Sequence, residues 1–285
     1  MNYKTSIFGS TGFIGSRYCE MYPHGITRIP RNVYKPEDDS NILYFISTID
    51  NYNVHTNLHV DIDTNLTVLM KMLDNIKAMP IKPVINFVSS WFVYGQNNEI
   101  PFREDFSHCN PTGFYSITKR CAEQMLICWC NTFGYEYRIL RLANVIGEGD
   151  KKISKKKNAL QFMIKEIVNN RDVELYYGGE VLRDYIYVDD VCSAINRCVV
   201  IGETNQIYNI GSGIPLRFLD LINKTIAEAK SSSKIIHIQP SNFHNIVQVR
   251  HSYLDTTKLK ALGFEQKYDI DATIKRLIDH YKTND

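Results

Sequence analysis

Short apolar runs alternate with longer stretches of helical periodicity along the first half of the chain. The runs predict buried strands, because a strand covered on both faces is apolar throughout. We predict strands at Lys4–Phe8, Ile26–Ile29, Ile42–Ser47, Val84–Ser89 and Tyr137–Leu142. Apolar residues at helical spacing predict helices at Thr64–Ala78 and Gly113–Trp129. This alternation is typical of an α/β fold with a doubly wound parallel sheet.

The pattern changes after Gly147-Glu148-Gly149-Asp150. A lysine-rich loop, Lys151–Lys157, precedes several short apolar runs, which predict short strands. The second half has four predicted helices, at Ala159–Val168, Phe218–Ala229, Thr256–Leu262 and Ile270–Tyr281. This loop-rich half is the part that we expect to enclose a substrate.

Composition and charge narrow the class of protein. The chain has 285 residues, of which 44% are hydrophobic, so it can bury a full core. The formal charge of +2 gives no reason to expect nucleic acid or a membrane as partner. Seven cysteines without metal-ligand or redox spacing, and no apparent signal peptide or spanning segment, predict a cytoplasmic protein with reduced thiols. The histidines have no metal-binding spacing, and we expect no metal.

Glycines recur at three-residue intervals between the first strand and the following helix. The segment is Gly9-Ser10-Thr11-Gly12-Phe13-Ile14-Gly15. Such spacing lets the backbone turn tightly and approach a pyrophosphate at a helix N-terminus, although a purely structural turn has the same pattern. We therefore predict a Rossmann-type dinucleotide-binding domain at 1–150, with a returning segment near 184–212. A smaller mixed α/β substrate domain would comprise 151–183 and 213–285.

A tyrosine and a lysine, Tyr115 and Lys119, lie one helical turn apart and so share a helix face. An ammonium beside a phenol favours the phenolate, so we expect a lowered pKa for Tyr115. A phenol of that kind can act as a general acid or base near neutral pH. Ser89-Ser90 ends the strand between this pair and the glycine segment.

In this order, the three elements resemble the extended short-chain dehydrogenase/reductase family, which contains nucleotide-sugar epimerases, dehydratases and ketoreductases. The resemblance covers almost the whole chain. Further segments that match the family are Ser89–Gly95, Arg141–Gly147, Arg183–Asp190 and Tyr208–Gly213. The family also commonly forms homodimers through two helices of the nucleotide-binding domain, here Thr64–Ala78 and Gly113–Trp129.

The resemblance implies roles for particular residues, and for each the alternative is a buried structural contact. Tyr115 would be the general acid/base, Lys119 would hold the nicotinamide ribose, and Ser90 would bind the same sugar oxygen as Tyr115. A nucleotide-diphospho-sugar substrate would contact Asn144, Arg183 and Arg250, since guanidinium groups suit phosphate oxygens. Ser47 and Leu142 would also lie at the cofactor, and Trp91 and Phe92 at the substrate.

Two departures from the family narrow the reaction. Dehydratases carry an acidic pair directly after the catalytic serine or threonine, where this chain has Trp91 and Phe92. Branches that also epimerise at C3 and C5 carry a cysteine at the position of Phe92. The resemblance then leaves hydride transfer at one carbon, with C4 favoured, either as reduction of a ketone or as 4-epimerisation.

The end of the second strand bears on the cofactor. Many family members that use NAD have an acidic residue there, whereas this chain has Arg28 and Arg31, which could bind a 2′-phosphate. Alternatively, the short stretch before Ile42 has lost a strand, and Glu37 or Asp38 reaches the adenosine. We favour an NADP-dependent 4-keto reductase. The alternatives are an NAD-dependent 4-epimerase and a dinucleotide-sensing protein without turnover.

Overall fold

The computed structural model describes residues 4–96, 99–106, 108–151 and 153–284. Six parallel strands form the central sheet, in the spatial order β10-β5-β4-β3-β1-β2. These strands are β1 (Thr5–Phe8), β2 (Ile26–Arg28), β3 (Asn41–Tyr44), β4 (Val84–Ser90), β5 (Tyr137–Leu142) and β10 (Gln206–Ile210). The predicted doubly wound parallel sheet is therefore confirmed.

Helices cover both faces of this sheet. They are α1 (Phe13–Met21), α2 (Val60–Ile62), α3 (Val68–Ile76), α4 (Phe114–Phe133) and α6 (Val188–Ile201). Successive residues of a strand point to opposite faces, so neighbours such as Ile7 and Phe8 belong to different cores. This double burial explains why apolar residues occur on both faces of the strands rather than at alternate positions.

The smaller part of the molecule contains the short elements. They are β6 (Asn144–Ile146), α5 (Ala159–Val168), β7 (Val173–Tyr176), β8 (Leu182–Arg183), β9 (Tyr185–Tyr187), β11 (Leu216–Arg217), α7 (Phe218–Ala229), β12 (Ile235–Ile238), α8 (Asn242–Val247), α9 (Thr257–Ala261) and α10 (Ile270–Asn284). Helices α5, α7 and α10 pack together around a third hydrophobic core. Strand β10 returns to the main sheet and pairs with β5.

Several predicted boundaries need correction. The helix expected at Thr64–Ala78 begins as a π-helical turn, Asp63–Thr67, before α3. Strand β3 ends at Tyr44 rather than at Ser47, because the chain leaves the sheet toward the cleft described below. Helix α4 continues four residues past Trp129 and ends at Gly134, whose φ of +68° is the left-handed conformation that glycine adopts readily.

Helix α6 was not predicted as a helix. It is buried around much of its circumference, and such a helix lacks the polar face on which periodicity depends. The segment between β2 and β3 contains no strand, and β2 is the last strand on that side of the sheet among the described residues. No helix in the described part of the chain is long and apolar enough to cross a bilayer.

Candidate active site

The glycine segment turns sharply between β1 and α1. Gly9 has a φ of +79°, and the amide of Gly12 donates to the Gly9 carbonyl at 3.1 Å. A Cβ atom on Gly15 would lie 2.3 Å from that carbonyl oxygen, so only glycine fits there. The turn therefore leaves bare backbone at the N-terminus of α1, which suits a dinucleotide pyrophosphate.

This turn forms one end of a large cleft. The cleft has a volume of about 1860 Å³, whereas a pocket for one small molecule usually has ~300–1,000 Å³. The cradle residues that line it are Gly9, Thr11, Gly12, Phe13, Ile14 and Gly15. Ser10, which is also predicted to bind the cofactor, is buried and lies outside the lining. The size of the cleft leaves room for two ligands side by side.

Ser90 and Tyr115 meet in the middle of the cleft. Ser90 ends β4, and its hydroxyl accepts the amide of Phe92 at 3.3 Å, which caps the short 3-10 turn Trp91–Tyr94. Tyr115 lies in the first turn of α4 and is 8% exposed. Burial raises the pKa of its phenol, while hydrogen bonds with the Ser90 and Ser47 hydroxyls act in the opposite direction. Tyr115 is therefore a neutral phenol near pH 7 and can donate a proton.

Lys119 lies one turn further along α4 and is almost fully buried. Its ammonium donates to the Val88 carbonyl at 2.8 Å and lies 4.1 Å from the centre of the Phe87 ring. Burial lowers the pKa of Lys119 to about 7, against the opposing charge of Glu123. The expected lowering of the Tyr115 pKa by Lys119 is wrong for this structure, because desolvation of the phenol dominates.

The predicted phosphate-binding residues line the same cleft. The guanidinium of Arg183 donates to the carbonyls of Val249 at 2.7 Å and Arg250 at 2.8 Å, so Arg183 holds the segment that carries Arg250. Burial lowers the pKa of Arg183. Asn144 donates its side-chain amide to the Asp184 carbonyl at 2.9 Å and also lines the cleft. Structural and ligand-binding roles are therefore compatible at Arg183 and Asn144.

Two aromatic side chains form the wall beside the acid/base group. The rings of Trp91 and Phe92 stack with centroids 3.9 Å apart, and Phe92 meets the Tyr115 ring edge-on at 6.1 Å. The guanidinium carbon of Arg183 lies 5.7 Å from the Trp91 ring. These two wall residues cannot exchange protons as a carboxyl pair does.

The arginines predicted for a 2′-phosphate separate in the structure. Arg31 lines the cleft, but Arg28 does not; its side chain interacts with the thiol of Cys19 instead. Glu37 and Asp38 are exposed and lie outside the cleft lining, in a segment tied to Ser6 of β1 through the amide of Glu37. Of these four charged residues, only Arg31 is placed to meet a cofactor. Ser47 and Leu142, which are also predicted to lie at the cofactor, line the cleft.

Other lining residues have no signal in the sequence. Asn51, Tyr52, His244 and Gln248 come from irregular segments or a short helix. The phenol of Tyr52 and Nδ1 of His244 lie 2.7 Å apart, which connects the two sides of the cleft. The lysine-rich loop also reaches the lining through four of its residues, Lys151, Lys155, Lys156 and Lys157, whereas Lys152 lies outside the described residues.

The site combines a glycine cradle, the group of Ser90, Tyr115 and Lys119, and a wall that carries Arg183. This combination is typical of a dinucleotide-binding enzyme. The family model described as "NAD dependent epimerase/dehydratase family" matches residues 42–211, more than half of the chain. The chain belongs to this family of enzymes, whose members use a nicotinamide dinucleotide. The resemblance seen in the sequence is confirmed.

Individual relatives are distant. The chain is 27% identical, over 79% of its length and 71% of the other protein, to a "Putative UDP-glucose 4-epimerase" of Methanocaldococcus jannaschii. It superimposes on RMD from Pseudomonas aeruginosa, solved with NADPH, with a TM-score of 0.86 and 21% identity over 99% of both chains. The UDP-glucose 4-epimerase of Thermotoga maritima gives a TM-score of 0.86 and 22% identity over 98% of this chain and 99% of the other. At these identities the structural matches establish the fold.

Proposed function

We propose that the protein is an NADPH-dependent reductase of 4-keto-sugar nucleotides. The observation that carries this proposal is that Ser90, Tyr115 and Lys119 line the same cleft as the glycine cradle and as Arg183 and Arg250. A dinucleotide and a nucleotide-diphospho-sugar would meet at the tyrosine. No nucleic acid or membrane partner is part of the proposal.

The residues present fit the dinucleotide, because the cradle exposes backbone amides where a Cβ atom would fill the space. A nicotinamide bound in this cleft supplies the hydride. Tyr115 gives its proton to the sugar oxygen, and the Ser90 hydroxyl hydrogen-bonds the same oxygen. Lys119 would hydrogen-bond the cofactor ribose, and Arg183 and Arg250 would bind the diphosphate of the sugar nucleotide.

The choice of a reductase rests on Arg31 and Tyr115. Arg31 is the cationic member of the second-strand region that reaches the cleft, and a 2′-phosphate gives it a partner. A neutral Tyr115 suits the protonation that completes ketone reduction. The second candidate is an NAD-dependent 4-epimerase, which is favoured by the names of two similar proteins.

Binding measurements separate these candidates. The purified protein, stripped of cofactor, is titrated calorimetrically with NADPH and NADH and then with a panel of nucleoside diphosphates. A clear NADPH preference supports the reductase and directs assays to 4-keto-sugar nucleotides. A preference for NADH, or a cofactor that cannot be stripped, favours the epimerase over the reductase.

Replacement of Tyr115 tests whether its phenol takes part in the turnover of substrate. We expect Tyr115→Phe to lower turnover at least ~100-fold and leave cofactor affinity nearly unchanged, because only the proton donor is removed. Tyr34→Phe, the same change at a tyrosine outside the cleft lining, is the matched control. Equal turnover in Tyr115→Phe and the parent protein would remove the proton-donor role of Tyr115. Absence of turnover in the parent protein would leave the dinucleotide-sensing alternative.

We also propose a homodimer formed through α3 and α4. Helix α4 has a stripe of exposed apolar side chains at helical spacing, Phe114, Ile117 and Met125. Sedimentation of Ile117→Glu would give a monomer if this stripe is the interface, and an unchanged dimer would place the interface elsewhere.

A further inference from the structure

One buried carboxylate, Glu123, lies directly behind the active site and has no part in the proposed chemistry. It is one turn beyond Lys119 on α4 and is fully buried. Its carboxylate accepts four hydrogen bonds from three residues: two from Arg141, at 2.7 and 3.1 Å, one from Arg120 at 2.9 Å, and one from the Ser89 hydroxyl at 2.5 Å. A buried carboxylate normally costs free energy, and this set of donors offsets that cost.

The donors come from the elements that carry the site. Ser89 immediately precedes Ser90 on β4, and Arg141 immediately precedes Leu142 on β5. Ser89 and Arg141 are also register partners in the sheet. Glu123 therefore joins α4, which carries Tyr115, to the two strand ends that line the middle of the cleft.

Glu123 supplies negative charge among the cations packed behind the site. Arg141 and the protonated form of Lys119 are both cations in the same buried region, at 1% and 2% exposure, and Glu123 is the anion that pairs with Arg141 and acts on Lys119. The other charged or titratable groups around the pair are Arg120, the Tyr94 ring below the Arg141 guanidinium at 4.6 Å, and Cys109. Tyr94 and Cys109 add no negative charge while they are protonated.

We propose that Glu123 is a positioning residue of this active site: it fixes the ends of β4 and β5 against α4 and stabilises the charged form of the buried Lys119. The inference rests on the proposed function, because Lys119 matters to catalysis only if the cleft binds a dinucleotide. Without Glu123, two buried cations would remain, and Lys119 would release its proton more readily.

The test follows the titration of Lys119 in the free protein by NMR with lysine labelled at Cε. The Lys119 resonance is assigned from its absence in Lys119→Met. Glu123→Gln combined with Arg141→Met removes both charges of the pair, so Arg141 is not left as a buried cation without its carboxylate. We expect its Lys119 midpoint to fall, because the Glu123 carboxylate acts on Lys119 more strongly than the Arg141 guanidinium does. A fall of about one pH unit is a tenfold loss of proton affinity.

Arg141→Met alone keeps the carboxylate and removes the competing cation, so the Lys119 midpoint should move in the alkaline direction. Arg120→Met, a change at the half-buried donor, is the control and should leave Lys119 nearly unchanged because Arg141 still holds Glu123. A Lys119 midpoint that stays at the parent value in whichever of the first two variants folds would overturn the proposal. The titration uses neither cofactor nor sugar, so its result does not depend on whether the proposed reaction takes place.

Discussion

Two arginines lie at the same active site, Arg141 fully buried and Arg183 half-buried, and they have opposite surroundings. Arg141, behind the site, binds the Glu123 carboxylate through two hydrogen bonds. Arg183, on the wall of the cleft, binds backbone carbonyls, and within the described part of the chain no carboxylate lies at ion-pair distance from it. Burial lowers the pKa of Arg183, whereas the Glu123 carboxylate outweighs burial and raises that of Arg141.

The difference separates a structural cation from one that is ready for an anion. Arg141 is neutralised within the protein and gains nothing from a ligand. The charge of Arg183 is only partly satisfied by carbonyl dipoles, so a diphosphate in the cleft would bind it strongly. The partner distinguishes the two residues: a carboxylate binds Arg141, and backbone carbonyls bind Arg183.

The largest effect expected from this comparison is a loss in the free energy of unfolding. Arg141→Met leaves Glu123 with one fewer cation in a buried setting, and breaking such a pair costs about 3–5 kcal/mol. We expect urea unfolding to show a loss of this size. Arg120→Met, at the more exposed partner of the same carboxylate, should cost much less. If the two variants were equally stable, Arg141 would not be the structural cation.

Ligand affinity is the matching test for Arg183. Arg183→Met should weaken binding of a nucleoside diphosphate about 10–100-fold, because a charge-assisted contact to phosphate is lost. Calorimetric titration measures the affinity, and Arg217→Met, at an arginine whose carboxylate partners are Glu180 and Asp220, is the control. Unchanged affinity in Arg183→Met would contradict the assignment of Arg183 to the phosphate.

A third basic residue of the site, Lys119, differs from both arginines because its charge changes near neutral pH. With a pKa of about 7 in the free protein, it is charged below pH 7 and neutral above it. An anionic dinucleotide favours the charged form, so binding above pH 7 takes up a proton. NADPH affinity should then fall by up to about tenfold per pH unit as the pH rises above 7. Lys119→Met should remove this dependence, and a persistent slope would assign it to another group.

The smallest effect concerns Arg31 at the cofactor end. Arg31→Ala should weaken NADPH about tenfold and NADH little, because an exposed charge is partly screened by salt. Arg28→Ala is the matched control, since Arg28 lies outside the cleft lining. Equal losses for NADPH and NADH in Arg31→Ala would mean that Arg31 does not distinguish the 2′-phosphate.

Sequence patterns predicted those parts of the molecule that depend on neighbours along the chain. Strand β5 and helices α5 and α7 have the predicted bounds, and Gly9 and Gly15 occupy a turn that other residues would not fit. The one-turn spacing of Tyr115 and Lys119 gives a common helix face. Alternation, helical period and glycine spacing are local properties, so the sequence by itself determined the parallel sheet and the place of the dinucleotide cradle.

Tertiary structure decided which charges meet. Glu123 and Arg141 pair across α4 and β5, and Arg183 reaches a carbonyl 67 residues away in sequence. The direction of the Lys119 ammonium, the separation of Arg28 from Arg31, and the contact of Tyr52 with His244 were equally beyond the sequence. The physical reason is that a charge takes its character from the groups packed around it, and those groups come together only when the strand ends and loops converge.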